Sequence, residues 1–241
     1  MRGRGAAVGK EASLSSRGAL NTREVIKVFD EVADYYDAWY EEPMGRFVVR
    51  VETKVLDELL PKKGRGLDVG GGTGVFSRRL MALSSDRWVV CLDPSRGMLR
   101  RARGRGVDVV CGIAGMPPFR PRAFDFAFAV TLIEFLAEPR KELEAIRETL
   151  RGGVFVLMVI NRDSEWGKLY SKLAEEGEPV LRIARLYSVN EAVEILEKAG
   201  YEVLGVTGAL EESPDEAREG EPTIRKGSSE GCGVAFIECK P

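Results

Sequence analysis

The chain contains no histidine. That absence removes Ser-His-Asp and Cys-His catalysis and the most common general base. It also leaves nothing to complete a mixed zinc site. Cysteine is scarce. Cys91, Cys111, Cys232 and Cys239 form no CxxC pair, so neither a metal centre nor a disulfide framework is expected. Cys91 and Cys111 lie in apolar strand patterns and read as buried free thiols. No apolar run approaches the roughly 20 residues that cross a bilayer. Arg2 and Arg4 have no apolar segment behind them, so no secretory signal is read there and the cytoplasm is the expected compartment. An excess of one charge is missing too. The net is −2, which gives no reason to expect a nucleic-acid partner. Any chemistry must come from carboxylates, tyrosines, lysines or the ligand itself.

What is present suits one domain of the larger kind. The 241 residues are 44% hydrophobic and 31% charged, enough for a full core and a polar surface. Residues 1–21 are Gly-, Ser- and Arg-rich and read as a mobile basic tail. A helical cap is expected over 22–60. Val25, Phe29, Val32 and Tyr36 share one face of its first helix. The aromatic run from Tyr35 to Tyr40 suits either packing on the main domain or a lid with a hydroxyl aimed inward. Pro43 and Gly45 are expected to break the segment before a second helix over 46–60.

From 61 to 160 strands and helices alternate. Strands are expected at 66–69, 87–92, 106–111, 123–130 and 154–160. Helices are expected at 75–84, 96–103 and 138–150. The strands are continuously apolar, so both faces of the sheet should be covered. Short links between alternating elements indicate an α/β, parallel, doubly wound sheet. Residues 161–187 read as a cap insertion. Ser188 and Glu191 stand at capping-box spacing before a helix that Gly200 stops. Residues 188–241 complete the sheet, with strands at 201–206 and 233–239 and a long mobile loop at 211–231.

The most informative stretch is Gly66-Leu67-Asp68-Val69-Gly70-Gly71-Gly72-Thr73-Gly74-Val75-Phe76. A short strand carries an acid, enters a glycine-rich turn and opens a helix. Such glycines let a ligand approach the backbone, and the helix turns free N–H groups toward the same space. Alone, the stretch could be a bare turn. Asp93 follows roughly twenty residues later at the end of the second strand, where an acid can accept from both ribose hydroxyls of a bound nucleoside. Alone, Asp93-Pro94 could be a helix cap. The dinucleotide fingerprint G-x-G-x-x-G/A is not met: its third position falls on Val75 or Ser77. What is present is D-x-G-x-G-x-G. A carboxylate ahead of the turn suits a charged amino group rather than a pyrophosphate.

These motifs resemble those of class I S-adenosylmethionine-dependent methyltransferases, of the small soluble branch that includes the quinone-biosynthesis type. The likeness spans about residues 35–239. Residues 67–74 resemble the family's first motif. Cys91-Leu92-Asp93-Pro94-Ser95 with Met98-Leu99 resembles its ribose-binding acid and adenine-packing helix. Gly112-Ile113-Ala114-Gly115-Met116-Pro117-Pro118-Phe119 resembles the segment usually read G-D-A-x-x-L-P-F. The resemblance implies a seven-stranded sheet of order 3-2-1-4-5-7-6 with strand 7 antiparallel. It implies S-adenosylmethionine as cofactor and S-adenosylhomocysteine as product. Asp68, Gly70, Gly71, Gly72 and Gly74 would hold the methionine part. Asp93, with Pro94 beside it, would hold the ribose, and Met98, Ile113 and Ala114 the adenine. Backbone at Val130 and Thr131 would approach the methionine end, and Tyr36 of the Tyr36-Asp37 pair would close over the ligand. Ile113 departs from the family, which often has an acid there to accept from the adenine amino group. That hydrogen bond is worth about 1 kcal/mol, and packing with the Ala114 backbone is expected to stand in for it.

Methyl transfer needs alignment and exclusion of water more than a dedicated base, and orientation can supply up to about 7–11 kcal/mol. No catalytic residue is assigned. Glu134, Tyr36 and Tyr187 are the candidates if a base is required. Glu134, Asn161, Arg162 and Tyr187 are expected to line the substrate, a small-molecule acceptor of open identity. No metal is expected, and oligomeric state stays open. Three other readings compete. One is a cofactor-binding regulatory protein without turnover. Another is an RNA methyltransferase, for which Arg96, Arg100, Arg101, Arg103 and Arg105 would be a binding surface rather than a solvated face. The last is an NAD-dependent oxidoreductase, which the missing third glycine disfavours.

Overall fold

A computed structural model describes residues 20–214 and 223–241. The expected basic tail lies outside them, apart from its last two residues. Helix α1 (Thr22–Val32) is capped by Asn21, whose side chain accepts from the Arg23 N–H at 3.0 Å. The one-turn α2 (Ala38–Glu41) and the long α3 (Pro43–Leu59) follow. Pro43 and Gly45 open and continue α3 instead of breaking it. Proline suits the first turn, where its missing N–H has no partner to lose. At Gly45 a Cβ would stand 1.9 Å from the Trp39 carbonyl oxygen, so only glycine lets α2 fold back on α3.

Alternation then begins with β1 (Gly64–Val69), α4 (Val75–Leu83), β2 (Arg87–Asp93), α5 (Arg96–Gly104) and β3 (Asp108–Cys111). It continues through β4 (Phe126–Val130), α6 (Pro139–Arg147), β5 (Phe155–Ile160), α7 (Glu165–Glu175) and α8 (Val189–Lys198). The chain ends with β6 (Glu202–Ala209), β7 (Ile224–Lys226) and β8 (Val234–Lys240). The Ser188–Glu191 capping box forms: the Glu191 N–H donates to Ser188 Oγ at 3.1 Å and the Ser188 N–H to Glu191 Oε2 at 2.7 Å.

The sheet has eight strands in the order β3-β2-β1-β4-β5-β8-β6-β7, where seven were expected. β1 to β5 pair in parallel, and β8 runs antiparallel to β5 and β6. β8 takes the place expected for the seventh strand. The extra strand, β7, lies within the 211–231 stretch read as a loop and pairs Ala209 with Ile224. Three mostly exposed residues carry no periodic signal; the open edge of β6 recruits them.

Alternate residues reach opposite faces. Leu67, Ala127, Leu157 and Ile237 pack with Leu143 of α6 and Leu196 of α8. Phe126, Phe128, Val156 and Phe236 pack on the other side with Val51 and Leu56 of α3, Leu80 of α4 and Trp166 of α7. Both faces are therefore covered. Cys91 is buried as expected, but Cys111 is exposed because β3 is an edge strand. Leu83, the last residue of α4, is exposed. No helix among the described residues is long and apolar enough to cross a membrane.

Candidate functional site

β1, β2 and β4 lie side by side and in parallel, so their C-terminal ends share one edge of the sheet. The glycine turn leaves β1 at that edge. Gly70, Gly72 and Gly74 have φ of 68°, 54° and 73°, where an L side chain costs about 1–2 kcal/mol. Gly71 is restricted by contact instead. A Cβ there would stand 2.7 Å from the Asp68 carboxylate and 2.6 Å from Cys91 Sγ. At Gly72 a Cβ would meet nothing within 4 Å, so that residue forms an open wall.

Two carboxylates frame the wall. Asp68 is buried and accepts from the Ser77 hydroxyl at 2.7 Å. Burial pushes its pKa up to about 7 while the Ser77 bond opposes the shift. Asp93 accepts from the Gly72 N–H at 2.9 Å and the Ser95 N–H at 2.8 Å. Burial pushes it up to about 6 against those two bonds. Asp93 is thus both a brace for the turn and the start of the α5 cap, where the Met98 N–H donates to Ser95 Oγ. At the end of β4, Thr131 has φ of 47°. A β-branched residue in that region is strained, and such strain concentrates at functional sites.

These groups line a narrow cleft of about 110 Å³. All the residues expected to hold a cofactor line it except Gly74. Gly74 is the N-cap of α4, where a Cβ would meet Ala102 at 2.9 Å. Helix α1 lies across the cleft through Val25, Ile26 and Phe29. Two acids tie it down. Asp30 Oδ1 accepts from the Ser95 hydroxyl and the Gly97 N–H, both at 2.7 Å. Asp37 Oδ1 accepts from the Thr73 hydroxyl at 2.7 Å, and its Oδ2 accepts from Arg101 at 3.1 Å and Arg105 at 2.8 Å. Two arginines of the basic cluster therefore clasp the lid rather than form a free basic face. Nothing in the local pattern singled out Asp30 or Asp37 as the anchors, because their partners stand more than thirty residues away in the chain.

A second, roomier cavity of about 410 Å³ adjoins the cleft. The two share Tyr36, Tyr40, Val130, Thr131 and Phe135. Glu52 of α3 and Tyr170 and Leu173 of α7 complete the second one. The expected substrate-lining set is not there: Glu134, Asn161, Arg162 and Tyr187 line neither cavity. Glu134 is fully buried, and its carboxylate accepts from the Ile160 N–H at 3.0 Å. Burial pushes it up to about 7. The Asn161 side chain donates to the Cys232 carbonyl at 3.0 Å, and its backbone bridges to Tyr187. Arg162 pairs with Glu191 at 2.7 Å. Tyr187 packs in the core beside α6 and α8. All four fasten the end of β5 to its neighbours. Tyr36 does line both cavities, but burial pushes its phenol up to about 12, so it holds its proton near neutral pH. Among the described residues no group of three or more His, Cys, Asp or Glu side chains is placed to hold a metal ion.

Comparisons with known proteins agree with this geometry. The family model described as a methyltransferase domain matches residues 36–206. An uncharacterised protein of Methanocaldococcus jannaschii is 30% identical over 212 residues, 88% of this chain and 98% of its own length. A demethylmenaquinone methyltransferase of Renibacterium salmoninarum is 36% identical over 151 residues, 59% of this chain and 62% of its own. A crystal structure from Thermotoga maritima, described as an S-adenosylmethionine-dependent methyltransferase and possible histamine N-methyltransferase, superposes with a TM-score of 0.80 at 30% identity. It covers 90% of this chain and 99% of its own.

Proposed function

The chain belongs to the methyltransferase-domain family and is an S-adenosylmethionine-dependent methyltransferase, and from that premise we propose that it methylates a small-molecule acceptor held in the second cavity. The observation that carries this reading is the shared wall. A cleft with the donor's chemistry and a cavity without it meet at Tyr36, Tyr40, Val130, Thr131 and Phe135. The demethylmenaquinone methyltransferase among the relatives supports a small acceptor.

The residues of the cleft fit S-adenosylmethionine. Asp68 and the Gly70–72 backbone suit its amino-acid end, and Asp93 the ribose hydroxyls. Met98, Ile113 and Ala114 offer an apolar seat for adenine, beside Pro94. When bound, that group would supply an electrophilic methyl carried on a sulfonium. The chain's own part is positioning. Thr131 is strained at the junction of the two spaces, and its N–H is fixed on the Met158 carbonyl at 3.2 Å. The α1 lid and the 161–187 segment exclude water from the junction.

Calorimetry with S-adenosylhomocysteine, followed by turnover of labelled S-adenosylmethionine against metabolite pools, tests the proposal. Micromolar binding and a labelled small product are expected. Binding without turnover on any acceptor, or label appearing only in RNA, would overturn it.

A further inference from the structure

The second cavity has a one-sided composition. Among its lining residues are the aromatic side chains of Tyr36, Trp39, Tyr40, Phe135 and Tyr170. Its charged lining residues are Glu42, Glu52 and Glu178, and neither lysine nor arginine is among them. The three acids differ. Glu42 is exposed at the N-cap of α3. Glu178 already accepts from the Leu181 N–H at 2.5 Å. Glu52 is 5% exposed, projects from the middle of α3, and no described residue gives it a hydrogen bond or an ion pair.

A carboxyl left unpartnered among aromatic rings is costly unless something brought in from outside completes it. The cavity offers the complement of a cation: ring faces that attract it and one acid that neutralises it. We propose, resting on the methyltransferase reading above, that the acceptor is a small basic amine with an apolar body, and that Glu52 is the group that receives its nitrogen.

Glu52 also has a task in preparing that nitrogen. An ammonium has no lone pair to offer. On binding, an N–H bond of the ammonium breaks, the proton passes to a Glu52 oxygen, and the electron pair stays on nitrogen as the nucleophile. In the empty cavity at pH 7 Glu52 carries a proton, which it gives up to solvent as the ammonium enters; the cation and anion so paired then become a neutral amine and a neutral acid, so one proton leaves to solvent for each amine bound. Burial, which pushes the Glu52 pKa up to about 8, suits the carboxyl to hold that proton. Tyr36, Tyr40 and Tyr170 face Glu52, and burial raises all three phenols, so none competes for the proton.

The test compares probes of one shape and different charge. The wild-type protein, saturated with S-adenosylhomocysteine, is titrated calorimetrically with 2-phenylethylamine, 2-phenylethanol and 3-phenylpropanoate. The amine is expected to bind at least about tenfold tighter than the alcohol, with the carboxylate weakest. Repeating the titration in buffers of different ionisation enthalpy should show close to one proton released per amine bound at pH 7. Glu52→Gln should lose the amine preference and the proton release while still binding S-adenosylhomocysteine as tightly as wild type. Equal or tighter binding of the alcohol by the wild type overturns the proposal, with no variant needed. So does an amine preference that survives Glu52→Gln. Failure of S-adenosylhomocysteine to bind would instead count against the methyltransferase reading, and the amine-to-alcohol ratio of the unliganded protein would still decide the present one.

Discussion

Replacing Gly71 by alanine should damage the donor cleft more than replacing Gly72, although Gly72 is the residue with the unusual backbone. The added methyl at Gly71 would stand 2.7 Å from Asp68 Oδ2, where no real contact survives. The Asp68 carboxylate must move, and its 2.7 Å bond from Ser77 is lost. A buried hydrogen bond to an ionisable group is worth about 1.5–3 kcal/mol. Crowding against Cys91 Sγ adds about 1–3 kcal/mol of its own. A total near 3 kcal/mol corresponds to about 6–12 °C in a domain of this size. At Gly72 the methyl meets nothing, so the penalty is only the left-handed φ, about 1–2 kcal/mol or ~2–8 °C. Affinity for S-adenosylhomocysteine should divide the same way. A displaced Asp68 forfeits its charge-assisted bond to the amino group, a loss of about 100-fold by the tenfold-per-1.4 kcal/mol rule. Thermal melts of both variants, followed by calorimetry, measure these effects. The reasoning is refuted if Gly71→Ala melts at or above Gly72→Ala, or binds the product as well as wild type.

Asp37→Asn removes the charge that Arg101, Arg105 and Thr73 share. Both arginines are about one-third exposed and can turn to water, so the cost is near 2 kcal/mol rather than that of a fully buried pair; a melting temperature within 1 °C of wild type, by calorimetric scan, would contradict it. Stability without ligand should fall as pH rises from 6 to 9. Asp68 at about 7 and Glu52 at about 8 keep protons that the unfolded chain has already lost, so their contribution is full below the unfolded carboxylate range and is lost as pH rises through the folded values. Glu52→Gln should flatten the upper part of that decline, and a rise in stability across the window would show the sign to be wrong. Binding of S-adenosylhomocysteine should strengthen from pH 6 to 8, because its amino group needs Asp68 ionised; a pH-independent dissociation constant would remove Asp68 from that role.

The glycine-turn cleft was legible in the sequence because its parts are local or one strand apart. Asp68, the glycines and α4 form one continuous strand-turn-helix. Asp93 reaches them because β2 pairs with β1 in register, Val69 beside Leu92. Parallel neighbours must bring their C-terminal ends to the same edge, so motifs written there meet in space. The four residues expected to line a substrate lie outside both cavities for the complementary reason. Asn161, Arg162 and Tyr187 do stand at a strand end, but β5 is flanked by antiparallel β8, and their side chains clasp that junction. β7 was also missed, since pairing to an open edge leaves no periodicity in three residues.

Glu52 marks the limit most clearly. In the chain it is one polar residue within an amphipathic helix, indistinguishable from a solvated one. Its burial depends on α3 packing against the sheet while Tyr36, Tyr40 and Tyr170 close around it, and Tyr170 is more than a hundred residues away. Sequence by itself determined the donor, because backbone conformation at a glycine turn and the acid before it are short-range properties. Only the tertiary structure decided where the second cavity lies and that Glu52 is buried beside it, because a cavity is bounded by whichever surfaces packing leaves facing one another.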